Sequence, residues 1–336
     1  MRDNVKTVTL NGTIGLLGVF AMRMAGKLLV VEELIVQDRS ARYIEWVPAL
    51  LHNQVFLHIS ATFGSVTSLK LFCVTFPSAM IFQRLIYALR SLTHLACAWV
   101  GFKDVQKRPA FLPPEGGHLL SLSLRYCYDV VKFLVESPII STVKHVELLD
   151  YRHAELSGSI QRLLEAVGES LMSIHIRPDR DVMRSKEFPL NLKRCSNIQM
   201  LLLDLDSAHL SRQSDWLVSL FAETLPSMLQ QITITFTETV AFETRQFRDV
   251  ISTLYDVLSG DFGKPIDDVL CGLRFTKLRV ITFQLRIMCY RDWSQGSQWW
   301  LRQVPEEKGW QQHIVSRFPK LHAQGIVRTP VSIELP

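Results

Sequence analysis

The six cysteines, at 73, 97, 127, 195, 271 and 289, include no CxxC pair, which removes the usual zinc-ribbon and dithiol frameworks. Several sit inside apolar runs, where a free thiol behaves as a small hydrophobe, and a reducing compartment, cytoplasmic or nuclear, is expected. The N-terminal apolar run Ile14 to Met22 is too short to span a bilayer and is closed by Arg23 and Lys27. It also lacks the context of a signal peptide, since Asp3 and the strand-like Val5 to Leu10 occupy its leader region. No membrane association is expected. Long runs of one charge are missing too: 37 basic residues are interspersed with 32 acidic ones, for a net charge of +5, so no nucleic-acid stripe is expected. The GxSxG, GxxxxGK[ST] and HExxH signatures are all absent.

What the chain has instead is one pattern written many times. Val66-Thr-Ser-Leu69-Lys-Leu71 is followed by an apolar-periodic run from Met80 to Leu89, and Leu92-Thr-His-Leu95-Ala-Cys97 starts again 26 residues after the first. An apolar-x-x-apolar-x-apolar core reads as a short strand with one buried face, and the run after it as a returning helix. Ten non-overlapping copies begin at Val5, Val31, Val66, Leu92, Leu119, Val143, Leu171, Ile198, Leu229 and Leu278. Their spacings are 26, 35, 26, 27, 24, 28, 27, 31 and 49, mostly in the leucine-rich-repeat range, where a unit buries its apolar face only by stacking on its neighbours.

The positions that the pattern leaves free carry the independent information. Of these thirty residues only seven are apolar, whereas a parallel strand covered on both faces reads as a near-continuous apolar run. One polar face is therefore expected on each strand. The spacing also predicts helices over Trp216 to Leu225, ended by Pro226, and over Phe247 to Leu258, between Thr244 and Gly260. Two intervals are irregular: Ser40 to Ser65 carries an extra amphipathic stretch with Trp46 and Pro48, and Asp261-Phe-Gly-Lys-Pro265 reads as a turn-rich loop. Four of the seven tryptophans, at 293, 299, 300 and 310, fall in a closing segment, 287–336, that reads as a C-terminal cap. The whole chain, 1–336, is expected to form one repeat domain: an α/β solenoid with leucine-rich-repeat character, an irregular horseshoe with a concave parallel sheet and helices on the convex side.

The stretch Val66-Thr-Ser-Leu-Lys-Leu-Phe-Cys-Val-Thr-Phe-Pro-Ser with the Leu92 unit, and the closing Phe318-Pro-Lys-Leu-His-Ala-Gln-Gly-Ile326, resemble the leucine-rich-repeat-like region of fungal F-box proteins. The resemblance implies repeats that capture a protein substrate, while an N-terminal F-box docks on a Skp1-type adaptor of a ubiquitin ligase. Here the first strand pattern begins at Val5, and the one F-box-like opening, Leu112-Pro-Pro-Glu115, is mid-chain, so adaptor binding is expected only if an F-box is supplied elsewhere. The Asn or Cys that the family places three residues after the last framework position is matched only by Cys127.

Enzymatic readings are weaker. Gly12-x-x-Gly15-x-x-Gly18 with Asp38 suggests a nucleotide-dependent oxidoreductase, but a dinucleotide site needs GxGxxG, and the same residues fit the passage from the first repeat to the second. Tyr128-x-x-x-Lys132 has a dehydrogenase spacing and nothing around it. His145 and His175 lack a third metal ligand. The expected function is protein binding without catalysis or cofactor, through Lys70, His94, Lys144, His145, Glu147 and His175 on the polar strand face, against an unknown protein ligand. A truncated family member without function of its own is the remaining alternative.

Overall fold

The computed structural model of the chain describes residues 5–12, 15–28, 30–37, 44–45, 53–104, 118–151, 154–178, 190–206, 214–224, 228–240, 247–259, 263–289 and 304–334. It is an α/β protein, and its strand pairs are parallel. The chain divides into two compact units, Met1–Leu149 with Gly158–Ser170, and Asp150–Ser157 with Leu171–Pro336.

In the first unit the larger sheet runs in the order β1 (Thr7–Asn11), β2 (Glu33–Gln37), β4 (Ser68–Phe72), β6 (His94–Ala98), β8 (Ser121–Arg125) and β9 (His145–Tyr151). Every one of these strands opens on the third position of its sequence repeat. Pairing joins like positions: Thr7 with Glu33, Glu33 with Ser68, Ser68 with His94, His94 with Ser121, and Ser121 with His145. The repeat thus fixes register, because a slip of one residue would turn the apolar fourth and sixth positions toward water. Except at Leu10 of β1, which is half-buried, those positions are buried in every one of these strands, as in Leu34 and Val36, Leu69 and Leu71, or Leu122 and Leu124. Helices α1 (Gly15–Met24), α2 (Asn53–Phe63), α3 (Ala79–Ala88), α4 (Tyr128–Val135) and α5 (Ala154–Val167) contribute buried stripes such as Leu17 and Ala21, Ile59 and Phe63, and Ile160, Leu163 and Leu164.

Two recurring devices outside the six-residue pattern tie successive repeats. The residue before the first position is a hydroxyl in four repeats, and each donates to a carbonyl of the preceding repeat: Ser65 to Val31, Ser91 to Gly64, Thr142 to Leu119 and Ser170 to Val143, at 2.7–3.0 Å. The eighth position takes left-handed backbone, with φ of 125° at Gly12, 56° at Cys73, 54° at Trp99, 51° at Tyr126 and 49° at Asp150. Its N–H still bonds the neighbouring strand, from Gly12 to Gln37 O, from Cys73 to Ala98 O and from Trp99 to Arg125 O. The chain therefore changes direction there without orphaning a backbone donor. It then enters a second, smaller parallel sheet of β3 (Ile44–Glu45), β5 (Val74–Ser78) and β7 (Gly101–Asp104). Under that sheet Phe76, Phe82, Phe102 and Phe133 pack ring to ring at 5.3–6.4 Å.

The second unit pairs β10 (Ser173–Pro178), β11 (Met200–Asp206), β12 (Gln231–Val240) and β13 (Val280–Cys289) in the same way, with Ser173 opposite Met200, Met200 opposite Gln231, and Gln231 opposite Val280. The β12–β13 ladder is ten residues long. Both β14 (Val327–Arg328) and β15 (Val331–Glu334) pair with β13. Helix α6 (Ser214–Ser219) passes into a π-helical turn over Leu220–Thr224, and α7 (Phe247–Val257) follows, close to where periodicity places these helices. Trp216 has no described side chain, and Thr244, Pro226 and Gly260 lie outside the described residues, as do Trp46, Pro48, Leu112 to Glu115, and Trp293, Trp299 and Trp300.

One local expectation differs from the structure, and one element lies outside the sequence pattern. The segment expected as a loop at 261–265 contains the start of α8 (Gly263–Leu270), whose first turn accommodates Pro265 because a first-turn N–H has no helical partner to lose. The element outside the pattern is β5, which contains Pro77: the left-handed Cys73 re-aims the chain, and Val74 and Phe76 are buried. Helix α9 (Glu307–Arg317) buries Trp310, and α10 (Pro319–Ala323) is capped by buried Asp267, which accepts from the N–H groups of Lys320 and Leu321 at 3.0 and 2.9 Å. Among the described residues no helix is long and apolar enough to cross a membrane.

Candidate functional site

The face opposite the buried stripes carries the third, fifth and seventh positions of each strand. In the first unit it holds four of the six expected site residues, spread along the sheet, and a fifth, Lys144, lies just before β9. Lys70, at the fifth position of β4, is 2.7 Å from the Glu33 carboxylate. His94 and His145 open β6 and β9 with the β8 strand between them, which sets them about 10 Å apart. The His94 ring Nδ1 lies 2.7 Å from the Thr93 hydroxyl. Glu147, half-buried, accepts from the Ser123 hydroxyl on the adjacent strand. Lys144 is exposed just before β9, where its N–H bonds Leu120 O. His175 belongs to the second unit.

The most distinctive group on the first unit was not among the expected residues. Trp99 and Tyr126, both half-exposed and both at the left-handed eighth position, stack with ring centroids 5.4 Å apart and planes at 24°. The Arg125 guanidinium lies 4.7 Å from the Trp99 ring centre and 5.8 Å from that of Tyr126. A bulky L-residue in this backbone region costs about 1 kcal/mol or more, which glycine avoids. The first repeat has that glycine, Gly12, whereas the fourth and fifth put large rings in its place. The rings, with a cation across them, form a preorganised platform at the C-terminal ends of the strands.

Cys127, next to Tyr126, explains how the turn is held. Its buried thiol accepts from the Val100 N–H at 3.3 Å and donates to Arg125 O at 3.1 Å, and Asp129 of α4 accepts from the Phe102 N–H at 2.9 Å. Burial pushes the thiol up to about 11 despite the backbone hydrogen bonds, so the group stays protonated and serves the turn as a donor and acceptor. Cys127→Val removes both roles while conserving bulk. Leaving the Val100 N–H without its partner should lower unfolding stability by about 1–3 kcal/mol, seen as a lower urea midpoint, with Cys127→Ser losing less.

In the second unit charged residues gather on the corresponding face. Buried Asp204, at the seventh position of β11, has its Oδ2 3.1 Å from His175 Nε2 and 3.4 Å from Arg286, and Arg286 also reaches Glu334 at 3.0 Å. Burial acts to raise the Asp204 carboxyl, but the hydrogen bond and charge of His175, with Arg286 and Arg177, outweigh it and hold the group below the ordinary aspartate value. Arg177 forms a two-pronged pair with Asp150, both contacts at 3.0 Å. Gln284 donates to Ser332 on β15. Of this network the sequence reading names only His175; Asp204, Arg177 and Arg286 lie beyond the sixth position, where the repeat pattern stops, although their charges on otherwise apolar strands were a visible signal.

The glycine segment is used for folding. The Gly12 N–H is committed to Gln37 O, and Gly15 opens α1; Asp38 lies outside the described residues. Among the described residues no group of three or more His, Cys, Asp or Glu is placed to hold a metal ion. Cys73, Cys97, Cys127, Cys195 and Cys271 are free thiols, and burial raises Cys97 well above the ordinary value. No family model matches the chain, and no curated protein matches it.

Proposed function

We propose that the chain is a protein-binding module of leucine-rich-repeat character, an irregular horseshoe whose polar strand face receives the partner and whose anchor is the Trp99–Tyr126–Arg125 platform. The observation that carries this reading is the placing of two large rings at left-handed positions, half-exposed and prestacked beneath a guanidinium. Trp, Tyr and Arg dominate interface hot spots because they supply rigid contact area with a polar handle. Lys70, His94, Lys144, His145 and Glu147 provide polar contacts beside these anchors on the first unit, and His175 belongs to the polar strand face of the second. Support for the repeat architecture comes from the like-to-like pairing of repeat positions within each unit. The resemblance to F-box proteins extends the proposal to substrate capture for a ubiquitin ligase, with the Skp1-type adaptor engaged by a separate F-box.

The test is quantitative affinity capture with the wild-type chain and with Trp99→Ala and Arg125→Ala. Proteins held by the wild type should be recovered at least about tenfold less with either variant, the effect of losing a hot spot of 1.4 kcal/mol or more. Circular dichroism should show both variants folded. Equal recoveries from folded variants would remove the platform from the binding surface, and saturable NAD(H) binding lost in Gly12→Val would favour an enzyme.

A further inference from the structure

We propose that the free edge of β1 joins a second copy of this chain, by antiparallel pairing of β1 with β1 about a two-fold axis through Thr9. Three features meet at this end of the first unit. The first is an edge that no described strand pairs with. β1 is the terminal strand of its sheet, and its sequence, Thr-Val-Thr-Leu-Asn, contains no charge, proline or bulge, the devices that normally prevent edge-to-edge pairing. The flanking Lys6 is occupied by Glu32 at 3.1 Å.

The second feature is the direction of the backbone groups. Lys6 O accepts from the Glu33 N–H and the Gly12 N–H donates to Gln37 O, so the even-numbered residues point their amides at β2. Alternation turns the N–H and C=O groups of Thr7, Thr9 and Asn11 to the open edge. Antiparallel pairing centred on Thr9 sets Thr9 against Thr9 and Thr7 against Asn11, all three of them residues with outward amides. It also sets buried Val8 against half-buried Leu10 on the helix side and places hydroxyls and the Asn11 amide together on the polar side. The five-residue pattern is therefore complementary to itself, and no like charges oppose.

The third feature is exposed apolar surface on the same end. Val5 is 38% exposed, whereas its counterparts at the first position of β2, β4, β6, β8 and β9 are 0–5% exposed. On α1, Leu16, Val19 and Met22 are 46%, 37% and 46% exposed, opposite the face that buries Leu17 and Ala21. A two-fold perpendicular to the joined sheets brings the two α1 helices, with their exposed apolar residues, to the same side of the seam. A second copy is thus the occupant that satisfies edge and helix at once.

Sedimentation equilibrium of the full chain between about 1 and 100 μM should show a species of twice the 38.5 kDa chain mass, with dissociation constants in the range that standard interfaces reach. Thr9→Pro removes an edge-facing N–H without touching the β1–β2 ladder, and should shift the distribution to the single chain with an unchanged circular dichroism spectrum. Thr9→Cys should form an oxidised covalent dimer linked through position 9, because residues directly opposite in a hydrogen-bonded antiparallel pair have Cα atoms about 5.5 Å apart, within disulfide reach. A single chain throughout this range, a dimer unaffected by Thr9→Pro, or cross-links mapping only elsewhere would each overturn the proposal. Thr9→Cys decides the matter if Thr9→Pro fails to fold.

Discussion

Replacing Trp310 by alanine should cost the second unit about 3–5 kcal/mol, the largest single-residue effect expected in the molecule. The side chain has no exposed surface, and it is fixed on several sides. Its indole N–H donates to Phe283 O at 2.9 Å, its ring stacks on Tyr255 at 6.2 Å and 15°, and Phe236 meets it edge-on at 5.8 Å. Removal leaves a cavity beneath β12 and β13 and an unpaired carbonyl on β13, two penalties that add. Trp310→Phe separates them: it keeps most of the packing and loses the hydrogen bond, for about 1–3 kcal/mol. Denaturant unfolding followed by circular dichroism measures both. Equal, small losses would mean that α9 is not what holds this end of the sheet.

Glu238 should make the protein less stable as pH rises through neutrality. Alternation along β12 puts this residue on the same face as Ile232, Ile234 and Phe236, opposite Ile287 of β13, and it is 4% exposed. Its Oε1 has no hydrogen-bond partner among the described residues. Burial, and after it the negative charge of Asp206, pushes the carboxyl up to about 8 from an ordinary 4.5. Because the folded chain holds this proton to a higher pH than the unfolded chain does, folding takes up a proton between the two values. The stabilisation is whole below about pH 4.5, declines as pH rises, and is lost above about 8. Glu238→Gln keeps the shape and cannot ionise. It should exceed the wild type by on the order of 2–4 kcal/mol near pH 8.5 and match it below about pH 4.5, read as diverging thermal midpoints. Parallel pH profiles would show that Glu238 is solvated or paired.

The repeat made the larger part of this architecture legible. Leu69, Leu71, Leu92 and Leu95 announce both the strands and their register, since a period-2 pattern with one buried face allows only one alignment. What lay just outside the six-residue pattern stayed hidden. Ser65, Thr142 and Ser170 look like ordinary linker residues until the preceding repeat's carbonyl is placed beside them. Trp99 and Tyr126 went unnoticed, because nothing local in a sequence reveals a left-handed backbone at a residue other than glycine. The small sheet of β3, β5 and β7 depends on that same turn and lies outside the six-residue pattern. The polar face was readable as a face, but which of its residues meet depends on strand order: Lys70 finds Glu33, and His175 finds Asp204.

The spread of repeat lengths has an evolutionary meaning. Like positions pair whether 24 residues separate them, as between β8 and β9, or 49, as between β12 and β13. Doubling a connecting loop adds only about 0.6 kcal/mol of closure entropy, while the β12–β13 ladder extends over ten residues where β4–β6 pairs five. Insertions between repeats are therefore nearly neutral in free energy, provided that the positions before and after the strand are kept. Such a chain can lengthen, diversify its connections and acquire new surfaces one interval at a time, leaving the sheet in register.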